Sequence, residues 1–496
     1  MLALAAIDYY LIIGYLFLTT WIGHRFKGKP SSTEDFFLGG RQIAWQAVTL
    51  SFVATTISAI TLIAVPALIF AAGGNFTYLQ FAIAGILARI IIARYLIPRY
   101  YEKNYLSPYD YVQARIGVTP SKVAAALFLV GGVLGQSVRV YATALVIEIM
   151  TGWSINDSIA IIAIFAVMWT WMGGIKSVIY TDVVQFCLLI GTALFVLAYI
   201  PLHLEGGWQG IFDTGRASGK LTLIDLSNDP RIAMTFWAAL LAMPFQNVAV
   251  YGFDQLFVQR LLCCRSVQDA KKAILWSSLG EIIPLIMLLV GLGLYAFYLV
   301  DPLSGVQASL IAERADRILP LFIVSEIPAG LRGLMLAGIL SAAISSLDSI
   351  LAALAQVTYS LLKQSHARHL VTHYPLTTAR SSIVIWGFML AAIAALFDES
   401  GRNLIDLAFT MTTYTYGPLM ALLILSLMGY RGRLYLASAI PTTLVFMIIL
   451  NHPNLLSPLG IIMTGPVIAW PWLFPIGTLL TLMLGTRAWR RTEHAH

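Results

Sequence analysis

Four oxygen-bearing side chains stand close together in residues 340–349, LSAAISSLDS: Ser345, Ser346, Asp348 and Ser349. They fall within little more than one helical turn. A carboxylate in the middle of an apolar helix costs a few kcal/mol unless it is paired or binds a cation. A hard cation such as sodium suits a cage of neutral oxygens with one carboxylate, and interhelical serine packing is the plainer alternative. A second carboxylate, Asp182, follows Gly173 and Gly174, a pair that permits a tight turn between helices. It reads either as a first-turn helix carboxylate or as a ligand. Arg139 lies past the middle of its apolar run. It requires an anion there, either an internal carboxylate such as Glu148 or Glu281, or the carboxylate of a ligand, which a guanidinium fork fits.

Other polar residues in apolar surroundings could face one cavity: Thr56, Ser58, Thr61, Gln80, Phe245 with Gln246 and Asn247, and Tyr414 and Tyr416 ahead of Gly417-Pro418. The two tyrosines read as an aromatic lid or as a membrane-interface belt, and the Gly-Pro pair as a helix break.

The elements that must position these groups are membrane helices. Hydrophobic residues make up 59% of the 496 and charged residues 11%. The mean hydropathy is +0.80. A soluble fold requires more charge than that. Apolar runs recur near 7–24, 45–72, 77–99, 121–150, 154–172, 177–201, 233–258, 274–300, 319–363, 381–397, 404–428, 434–451 and 466–486. They predict about thirteen helices in a single membrane domain. The amino-terminal run lacks a basic lead and a cleavage site, so it is expected to be a retained helix.

The net charge of +7 sits in alternate connections: 24–41, 99–122, Lys176, 260–272, 363–380, Arg431 with Arg433, and 487–491. Positive loops face the cytoplasm, so the amino terminus is expected outside and the carboxyl terminus inside. This pattern explains the charge without nucleic acid, and no protein partner is indicated beyond the surrounding lipid. Cys187, Cys263 and Cys264 have no metal-ligand spacing and form no disulfide framework. No nucleophile elbow or phosphate loop suggests an enzyme. The short stretch after Gly485 leaves no room for a sensor module.

Two segments look breakable. Residues 51–67, SFVATTISAITLIAVPA, and 241–254, LAMPFQNVAVYGFD, combine hydroxyls, amides and proline. Broken backbone at membrane depth is tolerated only against protein or a wet cavity. Their separation by five helices fits corresponding positions in an inverted repeat.

Together with residues 35–41 (DFFLGGR), SPYDYVQARIG, WMGGIKSVIYTDVVQ, FDQLFVQRLL, AAISSLDS and YGPL, in that order, the chain resembles the sodium:solute symporter family over nearly its whole length. The resemblance implies an all-α, LeuT-like fold: an extra amino-terminal helix (7–26), inverted five-helix repeats (45–201 and 233–428) and carboxyl-terminal helices (434–486). It also implies sodium-coupled symport by alternating access in a bacterial inner membrane. The main sodium site would use the carbonyls of Ala54, Ile57 and Ala342 with the hydroxyls of Ser345 and Ser346. A further sodium site would use Asp182, Ser345, Asp348 and Ser349, with Asp348 where sialic acid members carry serine. The positions of Thr56, Ser58, Thr61, Gln80, Phe245 and Asn247 match those near the ligand in the sialic acid and organic-acid branches. The arginine of sialic acid members falls on Gly135, one turn before Arg139. The implied solute is a carboxylate such as sialic acid or a monocarboxylate, with a sugar or an amino acid as the alternative.

Overall fold

The computed structural model describes residues 4–26, 33–365, 368–397, 403–452 and 468–486. Among these the regular structure is helical, with one isolated β-bridge between Ile43 and Cys264. The outer helix α1 is Ala6–Phe26. It is followed by α2, Trp45–Thr56, and α3, Ala59–Phe70, whose axes meet at 53°. Next come α4, Thr77–Glu102, and α5, Val118–Thr151. Helices α6, Ile155–Trp171, and α7, Gly174–Leu202, meet at Gly174, where φ is +60°. This is the glycine turn expected from the sequence. A side chain there would strain the backbone and meet the Phe36 carbonyl.

In the second half, α8, Met243–Phe253, and α9, Gln255–Leu262, are separated by the single extended residue Asp254. They lead into α10, Val267–Val300. The run expected at 319–363 divides into α11, Ile318–Glu326, and α12, Leu331–Lys363. Then follow α13, Pro375–Ala394, α14, Leu404–Met428, α15, Leu436–Asn451, and α16, Trp470–Gly485. By length and composition, eight helices of the described residues can cross a membrane, and the α2–α3 pair makes a ninth. Helices α6, α15, α16 and the run Ala238–Phe253 are apolar but shorter, and the expected thirteen spans require these to cross as well. The basic tail at 487–491 lies outside the described residues, as do Lys27 and Lys29.

Helix α12 is the axle of the bundle. Its apolar window is 94% buried, and it packs on α1, α2, α5, α7, α9 and α13. The residue run that carries Ser345, Ser346 and Asp348 is therefore held from all sides. Where backbones must approach, the sequence supplies glycine, as is common where helices pack in lipid. Gly291 on α10 sits against Pro66 of α3, and Gly417 on α14 against Gly477 of α16. The latter contact corrects one expectation: α14 runs unbroken through Gly417 and Pro418, and the glycine serves close packing, not a break. Thr478 Oγ1 donates to the Gly417 carbonyl at 3.0 Å.

Candidate functional site

The α2–α3 break opens backbone acceptors inside the bundle. Ile57 N–H donates to the Val53 carbonyl at 2.9 Å and closes α2, while Leu62 N–H donates to the Ser58 carbonyl and starts α3. Between these bonds the carbonyls of Ala54, Thr55 and Thr56 have no backbone partner, as at any helix end. The Thr55 carbonyl accepts from Arg139 Nη1 at 3.0 Å. At the other break, Asp254 caps α9 through Oδ1, which accepts from Leu256 N–H at 2.7 Å, and its Oδ2 accepts from Tyr416 Oη–H.

Both breaks border one cavity with an empty volume of about 1100 Å³, open mouth included. Thr56, Ser58, Thr61, Arg139, Gln246, Asn247 and Tyr416 line it, as the sequence suggests. Three expected members stand elsewhere. The Gln80 amide is buried in the α4 entry, donating to the carbonyls of Thr77 and Met234 at 3.0 and 3.2 Å. Phe245 packs into the apolar core beside the cavity. Tyr414 is two residues from Tyr416, which turns it to another face of α14, where its hydroxyl meets His452 Nε2 at 2.9 Å. Of the two tyrosines, Tyr416 alone lines this cavity. Asp254 and Glu281 also line it; Asp254 was not singled out from sequence, and Glu281 was considered only as a partner for Arg139.

The internal partners considered for Arg139 are taken. Glu148 pairs with Arg317 at 3.3 Å, and Glu281 pairs with Arg89. Among the described residues no carboxylate lies within ion-pair distance of Arg139, so its remaining donors face the cavity.

Behind the cavity, α7, α9 and α12 bring together a buried charge cluster. Asp182 Oδ2 accepts from Ser51 Oγ at 2.5 Å and from Arg260 Nη2 at 3.1 Å, while Oδ1 accepts from Ser345 Oγ. Arg260 also donates from Nε to Ser51 Oγ at 2.9 Å, from Nη1 to the Leu256 carbonyl at 2.7 Å, and from Nη2 to Ser349 Oγ. Asp348 lies next to Ser349, 3.3 Å between oxygens. This overturns two expectations. Asp182 is no first-turn carboxylate, and Arg260 is no loop charge but a fully buried residue. Its place at the start of a basic run, 260–272, hid it; its partners lie 78 and 89 positions away in the chain.

Residues 36–434 match the model of the sodium:solute symporter family. The chain belongs to the sodium:solute symporter family. Among curated relatives, this symporter is similar to the sodium-coupled monocarboxylate transporter 2 of Mus musculus, 27% identical over 438 residues that cover 86% of this chain and 70% of the relative. It is 30% identical to the sodium/sialic acid symporter SiaT of Proteus mirabilis over 346 residues, 70% of this chain and 68% of the relative. Among solved structures, a Na+-coupled sialic acid symporter in a substrate-bound outward-open state matches with TM-score 0.82 at 24% identity, covering 98% of this chain and 97% of the other. MhsT in complex with L-phenylalanine matches with TM-score 0.56 at 14% identity, covering 89% and 98%. The fold is thus LeuT-like, the protein is an integral membrane symporter, and the coupling ion is sodium.

Two groups of residues could hold that ion. Ala54 and Ile57 lie at the α2 end, where carbonyls are freed, and α2 packs on α12, which carries Ala342 and the fully buried Ser345 and Ser346. Neutral oxygens at a helix break are a suitable donor set for a hard monovalent cation. In the charge cluster, Arg260 pairs with Asp182, while Asp348 lies beside Ser349 with no cation within ion-pair distance among the described residues.

Proposed function

We propose that this symporter imports a small organic acid, sialic acid or a monocarboxylate, with sodium across a bacterial inner membrane. Its amino terminus is outside and its carboxyl terminus in the cytoplasm. The observation that supports the substrate class is Arg139: a guanidinium on the wall of the central polar cavity, bound to one backbone carbonyl and, among the described residues, to no carboxylate. A substrate carboxylate supplies the missing counter-charge, and the fork can take both of its oxygens. Ser58 and Thr61 beside the break offer hydroxyls for the same group, while the Thr56 hydroxyl donates to the Phe52 carbonyl at 2.9 Å.

Sodium at the carbonyls of Ala54, Ile57 and Ala342 and the hydroxyls of Ser345 and Ser346 would tie the broken helix to α12. A second ion would neutralise Asp182 and Asp348 beside Ser345 and Ser349. Ordering α2 and α3 in this way shapes the wall that meets the solute, so sodium raises solute affinity and, by linkage, solute raises sodium affinity equally. The segments 45–201 and 233–428 act as the two repeats that rock against each other, with Tyr416 as the gate.

Thermal unfolding of the purified protein in sodium and in potassium tests this reading. An organic acid should stabilise it in sodium only. Arg139→Ala should abolish the acid's effect and leave sodium's, while Ser346→Ala should weaken sodium's. Stabilisation by a neutral sugar that survives Arg139→Ala contradicts the substrate class.

A further inference from the structure

The cavity that Arg139 lines also carries polar groups that the protein itself does not satisfy. Gln246 and Asn247 on α8 are each only 7% exposed and line the cavity, and neither amide makes a hydrogen bond among the described residues. Next to them stands Glu281 of α10. Arg89 takes its Oε1, is itself anchored by a 3.1 Å bond to Ser277 Oγ, and stacks 4.6 Å from the Tyr251 ring centre. A Cβ at Gly85 would stand 2.5 Å from Glu281 Oε1, so a larger residue there would displace the carboxylate. Glu281 Oε2 has no hydrogen bond among the described residues, and Glu281 borders both the central cavity and a side cavity shared with Tyr78, Asn247 and Tyr251.

Arg89 already balances the charge of Glu281, so this wall asks for hydrogen-bond donors, not for a cation. Water can occupy it in the resting protein. A solute that displaces this water must replace its bonds, because a buried amide or carboxylate left bare costs about 1–3 kcal/mol. A short acid with an aliphatic tail cannot do so; an acid that also carries hydroxyl or amide N–H groups can. Sites built this way discriminate strongly against analogues without the donor.

We infer that the transported acid carries hydroxyls besides its carboxylate, and that Glu281 and Gln246 read those hydroxyls. This rests on the carboxylate reading of Arg139. The test compares N-acetylneuraminate, D-gluconate and butyrate as stabilisers of the purified protein in sodium. A hydroxylated acid should act at a concentration at least about tenfold below that of butyrate. Gln246→Leu, which removes no internal hydrogen bond, should erase that preference, and Glu281→Gln should reduce it. Butyrate acting as well as the hydroxylated acids, or a preference unchanged in Gln246→Leu, overturns the inference and leaves the carboxylate reading standing. If none of the acids stabilises the protein and a neutral sugar does, both fall.

Discussion

Arg260 bonds Asp182, Ser51, Ser349 and a backbone carbonyl at once, with none of its side chain exposed. Removing one partner of a buried ion pair leaves a bare charge and costs roughly 3–5 kcal/mol. Arg260→Leu should therefore lower the unfolding temperature markedly, while Asp182→Asn in the same background should recover part of the loss; equal stability of wild type and Arg260→Leu would contradict the cluster. A second residue test lies in the connection between α10 and α11. Burial raises the Asp316 carboxyl to about 6, with Arg314 offsetting part of the effect. Between about pH 4 and 6 the folded state then holds a proton that the unfolded state has lost, so stability falls as pH rises through this window. Asp316→Asn should flatten that slope and gain on the order of 1–3 kcal/mol at pH 7, read as unfolding temperature at pH 4.5 and 7.5. At this scale the sequence was only partly legible. Arg139, Asp182 and the Ser345–Ser349 run were visible because charge and hydroxyls are rare in apolar helices. Arg260 was not, because it stands at the edge of an apolar run, where charge is ordinary, and Glu281 was read only as a counter-charge for Arg139.

The helices were more legible than their contacts. Lipid demands long apolar runs, so the expected spans match helices from α1 to α16, and the hydroxyl-rich α2–α3 segment breaks where Thr56, Ile57 and Ser58 offer little helix preference. The division of 319–363 at Ile327–Gly330 was missed, since hydropathy alone hides a turn between two apolar helices. So was the purpose of Gly417, because a glycine that packs against Gly477 and a glycine that breaks a helix look the same in sequence. The α3–α10 contact gives the test at this scale. A Cβ at Gly291 would stand 2.7 Å from Pro66 Cα, so Gly291→Ala must push α10 from the broken helix. Overpacking of this kind costs about 1–3 kcal/mol. A lower unfolding temperature and weaker sodium stabilisation are expected; wild-type values for both would show that the two helices are not locked together there.

For the whole molecule, the account joins three features: a broken helix that frees carbonyls, an axle helix that carries hydroxyls and a carboxylate, and a cavity whose guanidinium lacks an anion. Sodium coupling follows from the family, and the membrane potential adds about 2.3 kcal/mol per charge per 100 mV to whatever gradient drives import. The most direct measurement is uptake of labelled N-acetylneuraminate and of a labelled monocarboxylate into proteoliposomes, with an inward sodium gradient, an inward potassium gradient, or neither. The account predicts concentrative uptake of at least one acid with sodium only, enhanced by an inside-negative potential and abolished in Arg139→Ala. Uptake of a neutral solute under the sodium gradient, unaffected by Arg139→Ala and without uptake of either acid, would contradict it.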